Sequence, residues 1–234
     1  MCDPVVLDGH SLACTTVAAV ARQGRPVRLA AAAAARIEAS RKVVENKIRE
    51  GQVVYGLTTG FGKFSEVVIS PEQTRELQRN LILSHAVGVG TPFSEEVVRA
   101  MLLLRANALA RGCSGVRVAV VERLIDFLNL RIHPVIPQQG SLGASGDLAP
   151  LAHMTLALMG EGEVWVDGER RPAREVLQER QLEPLMLEAK EGLALINGTQ
   201  AMTGVGVLAL VDARNLALAA DMAAALTMEA LCGI

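Results

Sequence analysis

At 234 residues the chain is long enough for one large domain or two small ones. Its 25 acidic and 23 basic residues leave a formal charge of −2, which gives no footprint for nucleic acid or an anionic membrane and points to a soluble, cytosolic protein. Half of the residues are hydrophobic but only 3% are aromatic, so the core must be built from Ala, Leu, Val and Ile, a composition that favours close-packed helices.

The pass along the chain predicts mostly helix. From Leu29 to Glu50 an alanine run is followed by Ile37, Val44 and Ile48 near helical spacing, and Gly51 ends the segment. Ser70-Pro71-Glu72-Gln73 reads as a capping box with proline at the first helical position, opening a helix toward Leu83. Ser94 with Glu95 and Glu96 starts another that ends near Gly112, and Val116 to Leu130 gives a further one. Asp147 to Met159 follows, closed by Gly160. The one clear β signal is Glu163 to Arg171, where Asp167-Gly168 joins two short strands in a surface hairpin.

Beyond Gly192 two apolar helical stretches, Ala201 to Val211 and Ala213 to Leu231, run to the end. Asp212, Arg214, Asn215, Asp221 and Glu229 interrupt them, which argues against a membrane span and for helices buried in a bundle. The stop at Gly233-Ile234, just after a helix, reads as truncation. The expected fold class is mainly α. An N-terminal helical domain, residues 1–190, carries an Ala-Ser-Gly loop and the hairpin, and residues 191–234 begin an elongated helical bundle.

Cys2, Cys14, Cys113 and Cys232 form no CxxC pair, and no basic-then-apolar leader opens the chain, so neither a disulfide framework nor a signal peptide is expected. His10, His85, His133 and His153 are far apart and match no zinc-protease spacing, so no metal is expected. Gly204-Val205-Gly206-Val207-Leu208-Ala209 satisfies a dinucleotide fingerprint on paper but follows no β-branched strand. It reads as small residues packed between helices, and no nucleotide is expected.

Chemistry concentrates in Gly140-Ser141-Leu142-Gly143-Ala144-Ser145-Gly146-Asp147, which is nearly free of side-chain bulk. A hydrolase nucleophile elbow needs glycine two residues after the serine, and Asp147 stands there instead. A glycine-rich loop into a helix, with Ser145 or Asp147 as N-cap, accounts for the segment locally and excludes nothing further. The other reading is backbone chemistry. If the Gly146 nitrogen closes on the Ala144 carbonyl and Ser145 loses its hydroxyl as water, a five-membered ring with an exocyclic methylene results. That ring is an electrophile, which no ordinary side chain provides.

Four blocks in this order, Tyr55-Gly56-Leu57-Thr58-Thr59-Gly60-Phe61-Gly62, Asn80 to Ala86, Gly140 to Leu151 and Leu195-Ile196-Asn197-Gly198-Thr199-Gln200, carry a wider resemblance. Over nearly its whole length the chain resembles the ammonia-lyases that build a methylideneimidazolone from an internal Ala-Ser-Gly, and among them most closely the histidine ammonia-lyases.

The resemblance implies that Ala144, Ser145 and Gly146 form the ring autocatalytically, and that Tyr55 is the base that takes a substrate proton. An unperturbed phenol titrates near pH ~10, so the Tyr55 anion would need local stabilisation; a buried tyrosine bonded to backbone is the plainer reading of that residue. His85 would bind an imidazole substrate, where members acting on phenylalanine or tyrosine carry other residues; on chemistry alone it is a helix-end histidine. Asn197 would hydrogen-bond near the ring and the substrate's amino-acid portion, and is otherwise a turn residue. Asp147 either helps polarise the cyclising backbone or caps a helix.

The implied reaction is loss of ammonia from L-histidine to give urocanate, with the electrophile meeting either the amine or the imidazole. An aromatic amino-acid lyase or aminomutase, or a helical assembly module without chemistry, are the alternatives. Family members are longer and tetrameric, and an arginine for the carboxylate and a glutamate near the imidazole lie in segments absent here. The 234-residue chain alone is therefore expected to be inactive.

Overall fold

The computed structural model describes residues 3–54, 71–142 and 148–233. Its elements run β1 (Val5–Leu7), α1 (Cys14–Gln23), β2 (Val27–Leu29), α2 (Ala31–Arg49), α3 (Pro71–His85), β3 (Val89–Pro92), α4 (Glu95–Ala110) and α5 (Val118–Asn129). There follow β4 (His133–Pro134), β5 (Pro137–Gln139), α6 (Leu148–Leu158), β6 (Glu163–Val166), β7 (Glu169–Pro172), α7 (Ala173–Glu179), α8 (Glu191–Ile196) and α9 (Gln200–Ala230). The fold is mainly α, as expected.

The organising element is α4. Val98, Ala100, Met101, Leu102, Leu103, Ala106, Leu109 and Ala110 are all buried, so most of the helix beyond its first turn is covered by its neighbours. It packs against α1, α2, α5 and α9. Gly112 just beyond its end has φ +78°, and a Cβ there would lie 2.6 Å from Arg36 Cβ and 2.7 Å from the Arg36 carbonyl carbon. Glycine thus both allows the left-handed turn and lets α2 approach. Phe127 is the one aromatic side chain in the described core, which otherwise is aliphatic.

Most predicted helices are found within a residue or two of their expected limits. Ser94 holds the N-cap position of α4 in extended backbone, yet its side chain makes no capping hydrogen bond. The capping box at 70–73 lies outside what is described of the side chains. Several short elements were not expected: parallel β1–β2, α1, α7, and antiparallel β3–β5 with Val89 opposite Gln139. Strands of two to four residues leave no alternation to read.

Two sequence expectations need correction. The hairpin is not simply on the surface: β6 also pairs with β4, His133 opposite Trp165, making a three-stranded sheet with Val164 and Val166 buried. Asp167 (φ +52°) and Gly168 (φ +84°) do form its turn. The two terminal apolar stretches are one helix, α9, preceded by the short α8. Asp212 does not break it because no glycine or proline accompanies it, and the carboxylate faces outward to take Arg22 Nη1 and Nη2 at 2.5 and 2.7 Å.

The span from Glu191 to Ala230 is long and apolar enough to cross a membrane by length and composition, so the interruptions alone do not exclude that; a third of its most apolar window (33%) is buried in the fold. A Cβ added to Gly204 would stand 3.4 to 3.5 Å from Met101 and Ala100, an ordinary contact distance, and one on Gly206 would meet nothing within 4 Å, so packing requires glycine at neither position.

His133 is 4% exposed, and its Nε2 accepts a hydrogen bond from Arg99 Nη1 at 3.1 Å. Burial, then the Arg99 and Arg131 guanidiniums, push its pKa down to about 4. Glu95 Oε1 lies 3.4 Å from the same nitrogen and would favour the charged ring, but that carboxylate is 61% exposed and screened. Because the folded pKa is depressed, stability is full above the unfolded value near 6.5 and is lost as pH falls toward 4, by roughly 3 kcal/mol in all. Urea unfolding at pH 7 and pH ~4.5 measures this. His133→Gln, which keeps an acceptor but does not titrate, should flatten that acid limb.

Candidate active site

The residues expected to do chemistry divide into two groups. Tyr55, Ala144, Ser145, Gly146 and Asp147 lie outside the described residues. His85, Asn197 and both flanks of the Ala-Ser-Gly segment lie inside them.

His85 ends α3 and is half-buried. Its Nδ1 lies 2.8 Å from the Leu81 carbonyl oxygen and 3.1 Å from Ser84 Oγ. A carbonyl can only accept, so Nδ1 carries the proton and Nε2 of the neutral ring is the acceptor. The helix thereby fixes both the tautomer and the direction of the free nitrogen.

Three residues on, the chain meets a flank of the Ala-Ser-Gly segment. Gly88 N–H donates to His153 Nε2 at 3.0 Å, and His153 belongs to α6, the helix that follows residue 147. Burial lowers the His153 pKa, which keeps the ring neutral and Nε2 available as acceptor. From the other side Gly140 (φ +137°) stacks on Gly88, where a Cβ would stand 3.1 Å from Gly88 Cα and 3.3 Å from Ala149 Cβ. Both ends of the 143–147 segment are thus pinned beside the backbone that carries His85.

Asn197 is the C-cap of α8, in extended backbone (φ −88°, ψ 101°), with its N–H bonded to the Leu193 carbonyl at 2.9 Å. Turn geometry therefore accounts for its backbone. Its helix α8 packs on both α3 and α6. Gln78 of α3 is fully buried and accepts Gly192 N–H at 2.9 Å, so α3 and α8 are joined by a hydrogen bond as well as by packing. Among the described residues no hydrogen bond joins His85 to Asn197; the structure brings their helices together rather than the two side chains.

What holds α8 is a charge network absent from the sequence reading. Glu191 is fully buried, accepts Arg117 Nε at 2.9 Å and Nη2 at 2.7 Å, and also takes the backbone N–H groups of Arg117 and Glu188 at 3.0 and 2.9 Å. The hydrogen bonds that Arg117 donates to Glu191 raise the Arg117 pKa. Arg41, 6% exposed, ties α2 in through Glu188 Oε2 at 3.0 Å and the carbonyls of Gly115 and Ala189. Lys190, just before α8, stands in the left-handed region at φ +78°, a conformation that costs a non-glycine residue about 1–2 kcal/mol and persists where surroundings over-determine it.

No group of three or more metal-ligating side chains occurs among the described residues. One surface cavity, about 510 Å³, is lined by Arg75, Arg79, Glu161, Arg174 and Leu185, and another, about 400 Å³, lies between Phe93, Arg131 and Trp165. Neither includes His85 or Asn197.

The aromatic amino acid lyase family matches residues 12–234. The chain belongs to that family. It is 57% identical over 230 residues to the histidine ammonia-lyase of Geobacillus sp. (strain WCH70), and 55% identical over 230 residues to that of Bacillus subtilis (strain 168), covering 98% of this chain and 45% of each relative. The chain thus spans about half the length of the curated lyases it matches. Among solved structures, the histidine ammonia-lyase of Trypanosoma cruzi superposes with a TM-score of 0.91 at 41% identity, over 99% of this chain and 45% of that one. A tyrosine aminomutase from Streptomyces globisporus does so with 0.82 at 43% identity, over 88% and 39%.

Proposed function

We propose that this chain supplies the electrophile-bearing part of a histidine ammonia-lyase, which eliminates ammonia from L-histidine to give trans-urocanate. The observation that carries the reading is the convergence of three helices: α3 with His85 at its end, α6 with the Ala144-Ser145-Gly146 flanks pinned to Gly88, and α8 with Asn197 at its cap. The residues fit the methylideneimidazolone. The sequence supplies the three residues it is built from, and Gly140 and Ala149 hold the segment's two ends without side-chain bulk.

When formed, that ring supplies the electrophile that activates the substrate toward loss of ammonia. Tyr55 takes the β-proton. His85 offers Nε2 as acceptor to an imidazole N–H, since Nδ1 is committed to Leu81. Asn197 hydrogen-bonds the ring region and the substrate's amino-acid portion, and Asp147 supports cyclisation. No metal or nucleotide enters. Residues 1–190 form the electrophile-bearing domain and 191–234 open a helical bundle that assembles a cytosolic homotetramer. His85 favours histidine over phenylalanine or tyrosine, the substrates of the runner-up reading, which the 43% identity to a tyrosine aminomutase keeps in view.

The test is the mass of the proteolytic peptide spanning 144–146, in the chain alone and in the chain joined to the C-terminal half of the Bacillus subtilis relative. The joined protein is expected to have lost two waters there and to release urocanate from histidine in preference to deaminating tyrosine or phenylalanine. Ser145→Ala, which has no hydroxyl to lose, should give a 144–146 peptide of unmodified mass and release no urocanate, and the 234-residue chain alone should not turn over. An unmodified peptide in a folded, joined protein would overturn the assignment.

A further inference from the structure

A buried arginine on α4 reaches the corner that carries Asn197. Arg105 is 5% exposed, and every hydrogen bond it makes among the described residues goes to the α8–α9 junction. Its Nη2 donates to the carbonyls of Ala194 and of Asn197, the latter at 3.1 Å, and its Nη1 donates to Gln200 Oε1 at 2.8 Å. Burial lowers its pKa to about 10, so it is still a cation at neutral pH, and its Nε is buried with no partner among the described residues. A cation at a helix C-terminus satisfies carbonyls that the helix leaves open and opposes its dipole.

Gly198 explains itself on the same geometry. A Cβ there would sit 2.3 Å from Arg105 Nη1 and 2.1 Å from Gln200 Oε1, inside both groups. So two residues of the Asn197-Gly198-Thr199-Gln200 block serve the guanidinium, one by leaving room and the other by accepting from it.

We propose that Arg105 is a positioning residue for the lyase reaction: it locks the backbone of Asn197 through the Ala194, Asn197 and Gln200 acceptors, with Gly198 as the opening that admits it. This rests on the function proposed above, in which Asn197 meets the substrate. A guanidinium fork bridging three acceptors is not replaced by an ammonium, which is a point charge on a flexible stem. Misplacing a contact by about 1 Å costs on the order of a hundredfold in rate.

The experiment is a double-mutant cycle on histidine turnover in the joined protein, with Arg105→Lys and Asn197→Ala separately and together. Gln200→Leu serves as the milder variant should Arg105→Lys fail to fold. Arg105→Lys is expected to lower kcat/KM about a hundredfold and Gln200→Leu about tenfold, with the two-water loss at 144–146 complete in both. In the Asn197→Ala background either change should make less than about a twofold further difference, because it acts through the residue already removed. Effects that multiply independently, or an electrophile that no longer forms in the variants, would overturn the proposal.

If the unsubstituted joined protein forms no electrophile, the proposed function fails. Hydrogen exchange on the 234-residue chain alone then decides the positioning. Amides of 194–200 should exchange about tenfold faster in Arg105→Lys, or in Gln200→Leu, with those of 98–104 unchanged. Equal exchange in both stretches would refute it.

Discussion

Glu191→Ala is expected to lower the unfolding free energy by about 3–5 kcal/mol, the range seen when one partner of a buried ion pair is removed. The cause is what remains behind. Arg117 would lose both hydrogen bonds to the carboxylate, the N–H groups of Arg117 and Glu188 would lose their acceptor, and Arg41 Nη1, 4.0 Å from Glu191 Oε1, would keep only carbonyls and partly exposed acids around it. The Glu188 N–H bond to Glu191 that spans the left-handed Lys190 would go with it. Glu191→Gln, which keeps one acceptor oxygen, should fall between the two. Urea titration at pH 7 measures both, and a change under about 1 kcal/mol for the alanine variant would mean the network behaves as a surface one.

That network shows where sequence reading stops. The helix from Ala31 to Arg49 was legible because alanine propensity, apolar spacing and a terminal glycine agree, and Gly51 takes the left-handed conformation that such an ending needs (φ +65°). The hairpin turn was legible for the same reason, since Asp-Gly fits few other geometries. Its partner β4 was not, because two residues carry no pattern. Asp212 looks in sequence like a break between helices, whereas an exposed acid with Arg22 beside it costs a helix little.

The site was legible unevenly. Its residue types came from four motif blocks and a resemblance, but Gly198 and Gln200 gave no hint of their purpose, because their partner Arg105 is more than ninety positions away along the chain. A signal did exist in α4 itself. Arg99 and Arg105 sit among Val98, Ala100 to Leu103, Ala106 and Leu109, and an arginine on so apolar a stretch must be buried against acceptors.

Arg99→Met is expected to cost about 3–5 kcal/mol at pH 7 and, in the same variant, to make stability less sensitive to acid. Arg99 Nε and Nη2 donate to the Val20 carbonyl at 3.1 and 2.9 Å, Nε also to Ala21 at 3.2 Å, and Nη1 to Leu128 at 3.0 Å. These are carbonyls near the ends of α1 and α5, so one side chain joins two helices to α4. Methionine fills similar space and removes the desolvation of a buried cation, which burial already disfavours enough to lower the Arg99 pKa. It leaves three buried carbonyls without this donor, however, at about 1–3 kcal/mol each, and that loss outweighs the gain.

The second effect separates two causes acting on His133. Burial is the larger and stays, while the Arg99 charge is removed, so the folded pKa should rise from about 4 toward 6.5 without reaching it. The window in which stability falls with acid then narrows from below. Unfolding free energies at intervals from pH ~7.5 to ~4.5 should give a shallower total loss in Arg99→Met than in the unsubstituted chain. An unchanged acid limb would assign His133 to burial alone, and an absent one would mean that losing Arg99 opens the β4 edge to water.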